Sequence, residues 1–211
     1  RGYRMQGPSS GTASQQLTFS GANTTGYSNI KASFRVTAMS IGSSGNGIDN
    51  TIDECLIEVS TNGTVWYQQA KVVTSGTNTR WAFNATGSGS RAYLANNSFS
   101  SFTVAGSGTV SGATGITTAT ITNLPATATL YVRITLTNNS GNESWIIDDL
   151  VITGEIPEPT ILASPNVANL NYYLGLGPSA AQSFSLSGSL LEPEEDTIYV
   201  YAPPNFQIAT S

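Results

Sequence analysis

The stretch Ile30-Lys31-Ala32-Ser33-Phe34-Arg35-Val36-Thr37-Ala38 alternates apolar and polar residues without a fault. Successive side chains of a strand point to opposite faces, so Ile30, Ala32, Phe34 and Val36 share one face and Lys31, Ser33, Arg35 and Thr37 the other. The stretch is predicted to be a half-buried strand. The same period of two recurs in Thr118-Ala119-Thr120-Ile121-Thr122 and in Leu130-Tyr131-Val132-Arg133-Ile134-Thr135-Leu136, and no stretch carries the 3.6-residue period of a helix. Residues 55–60 and 65–69 flank Thr61-Asn62-Gly63-Thr64, where Asn-Gly supplies the positive φ angles of a tight hairpin turn. Arg80-Trp81-Ala82-Phe83 reads as a further strand and Gly87-Ser88-Gly89-Ser90 as a loop. Many short strands separated by turn signals predict a sandwich of antiparallel sheets, an all-β fold.

Asn138-Asn139-Ser140-Gly141 turns the chain into Glu143-Ser144-Trp145-Ile146-Ile147-Asp148-Asp149-Leu150-Val151-Ile152-Thr153-Gly154. Two adjacent carboxylates inside an apolar run are costly to bury without a partner. Simple alternation puts Ile146, Asp148 and Leu150 on one face and Trp145, Ile147, Asp149 and Val151 on the other, so the two carboxylates cannot share one ion without a bulge. After Gly154, Pro157-Glu158-Pro159 is a stiff linker, because each proline fixes φ and removes a donor. Residues 181–188 and 196–202 then read as strands of a second β unit. The expected organisation is a sandwich over 1–154, a linker over 155–160, and an incomplete second sandwich over 161–211 belonging to a longer polypeptide.

Chemistry narrows the function classes. The net charge is −5 and the isoelectric point about 4.5. That sign opposes the sequence-independent attraction on which binding to nucleic acid or to an anionic membrane depends. Neither partner is expected, and no apolar run is long enough to span a bilayer. The chain has no histidine, which excludes Ser-His and Cys-His catalysis and removes the commonest zinc ligand. Cys55 is the sole cysteine, so no intrachain disulfide forms, and its apolar surroundings predict a buried structural thiol. Only 10% of residues are charged, and solubility comes from Ser, Thr, Asn and Gly, as in extracellular all-β domains. An extracellular or outer-surface location follows as the expectation.

The segment Asp49-Asn50-Thr51-Ile52-Asp53-Glu54-Cys55-Leu56-Ile57-Glu58-Val59-Ser60-Thr61-Asn62-Gly63-Thr64-Val65-Trp66 and the closing Trp145-Ile146-Ile147-Asp148-Asp149-Leu150 resemble the cleaved-adhesin and MAM-like jelly rolls of Bacteroidota surface proteins. Gly175-Leu176-Gly177-Pro178-Ser179, Gln182-Ser183-Phe184 and Ala202-Pro203-Pro204-Asn205-Phe206 resemble the immunoglobulin-like module that often follows such domains. The resemblance implies a jelly-roll β-sandwich followed by a linker and a partial immunoglobulin-like β-sandwich, exported by type IX secretion. Relatives of this kind are appended to adhesins and to secreted enzymes alike, so the fold does not fix the function.

Several groups are candidate sites. Acidic residues gather at Asp49, Asp53 and Glu54 and again at Glu143, Asp148 and Asp149. Without histidine or paired cysteine, calcium is the metal such oxygen ligands favour, and Asp49, Asp53 and Asp148 are its expected ligands. The competing reading has one Asp of the pair accepting hydrogen bonds while the other is solvated. Tyr67 and Trp81 are the candidate glycan-binding faces. Of the two residues that follow the hairpin turn, Trp66 is expected inside and Tyr67 outside. Thr197, in Asp196-Thr197-Ile198, matches the pattern used for O-glycosylation in the lineage of the resemblance. Gly42-Ser43-Ser44-Gly45-Asn46-Gly47 has no phosphate-loop ending and reads as a loop. Adjacent Asp148 and Asp149 lack the separation of a glycosidase pair, so no enzyme activity is expected. The leading expectation is a non-catalytic adhesion or structural module with a protein or glycan receptor. A carbohydrate-binding module attached to a secreted enzyme is the alternative.

Overall fold

The computed structural model describes residues 2–40, 47–49, 52–74, 76–85, 87–95, 100–103, 111–112, 115–168, 170–191 and 199–209. The strands are β1 (Tyr3–Gln6), β2 (Ala13–Thr18), β3 (Ser28–Ser40), β4 (Glu54–Ser60), β5 (Tyr67–Val73), β6 (Arg80–Trp81), β7 (Gly87–Ala92) and β8 (Ser100–Thr103). They continue with β9 (Ser111–Gly112), β10 (Ile116–Leu124), β11 (Tyr131–Asn138), β12 (Glu143–Glu155), β13 (Thr160–Ser164), β14 (Tyr172–Tyr173), β15 (Gly177–Pro178) and β16 (Ser185–Ser189). The described chain is all-β, and it divides into two compact units, Arg1–Ile156 and Pro157–Ser211. No helix long and apolar enough to cross a membrane occurs among the described residues.

The first unit is a sandwich of two sheets. One runs β1-β12-β3-β10-β7, with β6 beside β3 and β9 beside β6; the other runs β2-β11-β4-β5-β8. The alternation in β3 is realised from Ile30 to Val36, with Ile30, Ala32, Phe34 and Val36 buried and Lys31 and Arg35 exposed; Thr37, expected outside, is buried and donates its hydroxyl to the Trp81 carbonyl. From the facing sheet, Cys55, Ile57 and Val59 of β4 and Val132, Ile134 and Leu136 of β11 meet them in one apolar core. Each buried Val, Leu, Ile or Phe among them contributes roughly 1.5–3 kcal/mol by leaving water, which is how the unit holds together without a disulfide.

The β4–β5 hairpin forms, but its connection is longer than a two-residue turn. Gly63 alone takes a positive φ, at 74°. Side chains shape the rest: Ser60 Oγ accepts from the Asn62 and Gly63 amides, and Asn62 Oδ1 from those of Thr64 and Val65. These short polar side chains satisfy backbone donors that a longer turn leaves unpaired.

Three expectations are corrected. Residues 87–90, read as loop, belong to strand β7, which pairs with β10. A Cβ on Gly87 would lie 1.9 Å from the Gly115 carbonyl oxygen, and one on Gly89 would lie 2.9 Å from Cγ of Phe102. The glycines permit close packing here and do not mark flexibility. Nor are the sheets wholly antiparallel: β5–β8, β7–β10 and β6–β9 are parallel. Parallel partners need crossover connections, which short turn signals do not reveal. The expected strand at 80–83 is confined to Arg80–Trp81.

The expected linker at 155–160 is also shorter. Glu155 still pairs with Ser28, and Thr160 already opens β13. Within Pro157–Ser211, β13 pairs with β16 and β14 with β15, both antiparallel. None of its described residues is buried. The strand expected over 181–188 is confined to β16, and residues 181–184 carry no strand. That expected over 196–202 has its first three residues outside the described set, and 199–202 carry no strand. Residues 42–46 of the glycine-rich piece likewise lie outside the described residues.

Candidate functional site

At one end of the first unit, Asp49, Asp53 and Glu143 bring carboxylate oxygens to within 4.8 Å of one another. Local backbone geometry sets up the first two. The Asp53 amide donates to the Asp49 carbonyl at 3.2 Å, and the Asp49 amide donates to Asp53 Oδ2 at 2.6 Å. These two bonds hold Asp49 and Asp53 together. Glu143 arrives from the other direction as the first residue of β12, after a turn in which its amide donates to the Ser140 carbonyl. The Asn139 amide of that turn donates to Asp53 Oδ1 at 3.0 Å, and the Asn78 amide donates to Asp49 Oδ1 at 2.9 Å.

Backbone donors therefore hold the two aspartates. Glu143 differs: its Oε2 is buried and meets no N–H or O–H donor, and its carboxyl lies against that of Asp53, with which a shared proton makes a hydrogen bond. Asp53 and Glu143 are 1% and 4% exposed. Burial, and then the negative charges of Asp53 and Asp49, push the Glu143 carboxyl up to about 7. Burial likewise raises Asp53; the amides of Asp49 and Asn139 oppose that rise, and the Asp49 charge adds to it. Two buried acids beside a half-buried one need a compensating positive charge, either a shared proton or a cation. Neither the cavity of about 270 Å³ beside Tyr3, Phe19 and Leu150 nor that of about 620 Å³ in the second unit is lined by this trio.

Asp148, expected as the third ligand, is not part of the trio. It stands five residues beyond Glu143 on the same strand, roughly 16 Å away at strand rise. The reason for the adjacent acids is a bulge. Asp148 pairs with Arg35 and Val151 with Ser33, so Asp149 and Leu150 together oppose Phe34. Asp149 takes φ 54°, and its carboxylate lies 3.9 Å from the Arg35 guanidinium. The extra residue shifts the alternation: Trp145 and Ile147 face the core before it, and Leu150 and Ile152 pack against the core after it. Asp149 is thereby exposed, not turned inward with Ile147 as unbroken alternation requires.

The candidate glycan-binding aromatics are corrected as well. Trp81 is fully buried; its Nε1 donates to the carbonyls of Val36 and Ile116 at 3.1 and 2.7 Å. It offers no face to a ligand. Tyr67 packs partly against the core, edge to face with Tyr93 at 5.9 Å. Trp66 is the one on the outer side, beneath the Arg133 guanidinium at 4.0 Å and beside Tyr131. Arg133 in turn donates to Glu58 at 2.7 Å. The expected inside–outside order of this pair is therefore reversed, because Tyr67 lies opposite the inward Val59. Thr197 lies outside the described residues.

Glu143 belongs to the acidic groups visible in the sequence. What separates it from Asp148 is its place directly after a turn, on the strand's first residue. No protein-family model, curated protein or solved structure matches the chain.

Proposed function

We propose that the chain is a non-catalytic adhesion or structural module of the cell surface or extracellular space, part of a larger multidomain protein. The observation that carries this reading is the packing of the first unit's three tryptophans and of Tyr67. Trp81 and Trp145 are wholly buried, Trp66 is covered by Arg133 and Tyr67 is engaged by Tyr93. Sugar recognition uses open aromatic faces, and these are occupied by packing. A surface of hydroxyls and amides with few charges, carried on two β units that divide at Pro157, suits a molecule exposed to the medium. The same reading takes the first unit as a jelly roll, the second as an immunoglobulin-like module, and the whole as cargo of the Bacteroidota export type.

One observation favours carbohydrate binding as a second reading. Tyr199 and Tyr201 are 72% and 82% exposed and stack at 6.4 Å in the second unit. The two readings separate experimentally. Beads carrying the full chain are passed under flow over collagen, fibronectin and albumin, and the same chain is applied to a glycan array. Retention on a matrix protein above albumin, with the array at background, is the expected result. Array binding that Tyr199→Ala or Tyr201→Ala removes, with no retention on protein, overturns the adhesion reading in favour of the second.

A further inference from the structure

We propose that the second unit's groove, between the β14–β15 hairpin and the turn at 203–206, binds an extended peptide segment of another protein in which Lys or Arg alternates with apolar residues. The inference rests on the adhesion reading for the class of partner, a protein, and supplies the chemistry of the segment recognised.

The groove has a volume of about 620 Å³, within the range of ligand sites, and is lined by Tyr172 and Phe206 together with Asn171, Asn205 and Gln207. The side-chain amides of these last three make no hydrogen bond among the described residues. Such an amide carries the donor and the acceptor of a peptide group, so it can pair with an extended backbone through both. The walls are also short of ladder bonds. β14 and β15 have two residues each, and residues 179–184 and 199–209 carry no strand. Within 199–209 a single backbone–backbone hydrogen bond forms among the described residues, from the Phe206 amide to the Pro203 carbonyl at 3.1 Å. Unpaired backbone groups beside an open groove are what strand addition uses.

The surface beside the groove calls for an apolar partner. Tyr172, Leu174 and Leu176 of one hairpin are 71%, 96% and 86% exposed, a density of open apolar side chains that marks interaction surfaces. Charge selects the partner's sign. The first unit contains all eight Lys and Arg of the chain and eight Asp and Glu, so it is neutral. Pro157–Ser211 contains five acids, Glu158, Glu192, Glu194, Glu195 and Asp196, and no base, so the whole net charge of −5 belongs to it. A compact unit of this length has a radius of gyration of about 10 Å, close to the Debye length of about 8 Å at physiological salt. The five charges therefore act together on a segment held in the groove. A basic segment is attracted, and the rings of Tyr172 and Phe206 offer π faces to its guanidinium or ammonium groups. A second copy of the chain carries the same charge and is repelled.

The test follows the fluorescence anisotropy of fluorescein-labelled octapeptides titrated with the full chain: one alternating Arg and Val, one Glu and Val, one Arg and Ser. The Arg-Val peptide is expected to bind about tenfold more tightly than either of the others, and to weaken as sodium chloride is raised from about 50 to 200 mM. Tyr172→Ala and Phe206→Ala, both at exposed positions, are each expected to weaken it about fivefold. Val65→Ala, at an exposed apolar residue of the first unit, leaves the affinity unchanged. Failure of the Arg-Val peptide to bind above the Glu-Val peptide, or wild-type affinity in both groove variants, overturns the proposal. So does a sedimentation profile showing a dimer that Phe206→Ala dissolves, which gives the groove to a second copy. A glycan-array signal that Tyr172→Ala removes, without peptide binding, gives it to a sugar and overturns the proposal as well. Retention on a matrix protein without peptide binding sinks this inference and leaves the adhesion reading standing; peptide binding without retention does the reverse.

Discussion

Trp81 and Trp145 meet edge to face in the core, with ring centroids 5.8 Å apart and planes at 77°. Each indole N–H is directed to backbone: Trp81 donates to Val36 and Ile116, and Trp145 donates to the Thr137 carbonyl at 3.0 Å. The pair fills the space between β3 and the ends of β10 and β11. Trp81→Phe removes ring volume and both donated bonds, so it should destabilise the chain by about 2–4 kcal/mol. Urea denaturation checks this. A loss under about 1 kcal/mol would show that the ring is not the packing anchor its burial indicates.

The close contacts of β7 give a second expectation. Gly87→Ala drives a methyl group into the Gly115 carbonyl, and Gly89→Ala drives one into the Phe102 ring. Overpacking of this kind costs about 1–3 kcal/mol. Ser88→Ala, on the exposed residue between them, should stay within about 0.5 kcal/mol of wild type. Equal effects at all three positions, measured by thermal melts, would contradict the assignment of this segment to a packed strand.

Asp149 occupies a left-handed conformation at the β12 bulge. For a β-branched residue that conformation costs about 1–2 kcal/mol, which glycine avoids. Asp149→Val should therefore be destabilising by about that much, whereas Asp149→Gly should stay within about 0.5 kcal/mol, since its exposed pairing with Arg35 contributes little. Parallel urea titrations of the two variants decide it, and identical midpoints would argue against the bulge.

Cys55 is buried, and burial first, then the neighbouring Glu54 charge, push its thiol well above the ordinary value of 9.0. Native chain should react with a thiol reagent at about pH 8 only as fast as it unfolds. The linkage sign follows from the raised value. Above pH 9.0 the unfolded chain releases this proton while the folded chain keeps it, so stability present below that pH declines as pH rises. Cys55→Ala should flatten that alkaline decline in urea midpoint. Rapid labelling of the folded wild type would contradict the burial.

Strand identity was largely legible along the chain, because a period of two is a local property. β3, β10 and β11 carry it in consecutive residues, and their inward faces are the ones alternation names. β7 was not legible, since glycine in a loop and glycine under a close contact look alike until the opposing Gly115 and Phe102 are in place. The candidate site was half legible. Asp49 and Asp53 are four residues apart in the sequence, whereas Glu143 reaches them only through the fold.

The acids Asp148 and Asp149 show where the division falls. Their presence in an apolar closing strand, and the need for something there to relieve two carboxylates, follow from residue order and the cost of burying charge. Which way each side chain points was decided by β3, because a bulge exists only relative to the register of a paired strand, and the residues opposite, Ser33 to Arg35, are remote in sequence. The same dependence on pairing sends Tyr67 inward opposite Val59 and gathers Glu143 with Asp53. Local alternation thus marked β3, β10 and β11 as strands, and long-range register determined which of their side chains meet.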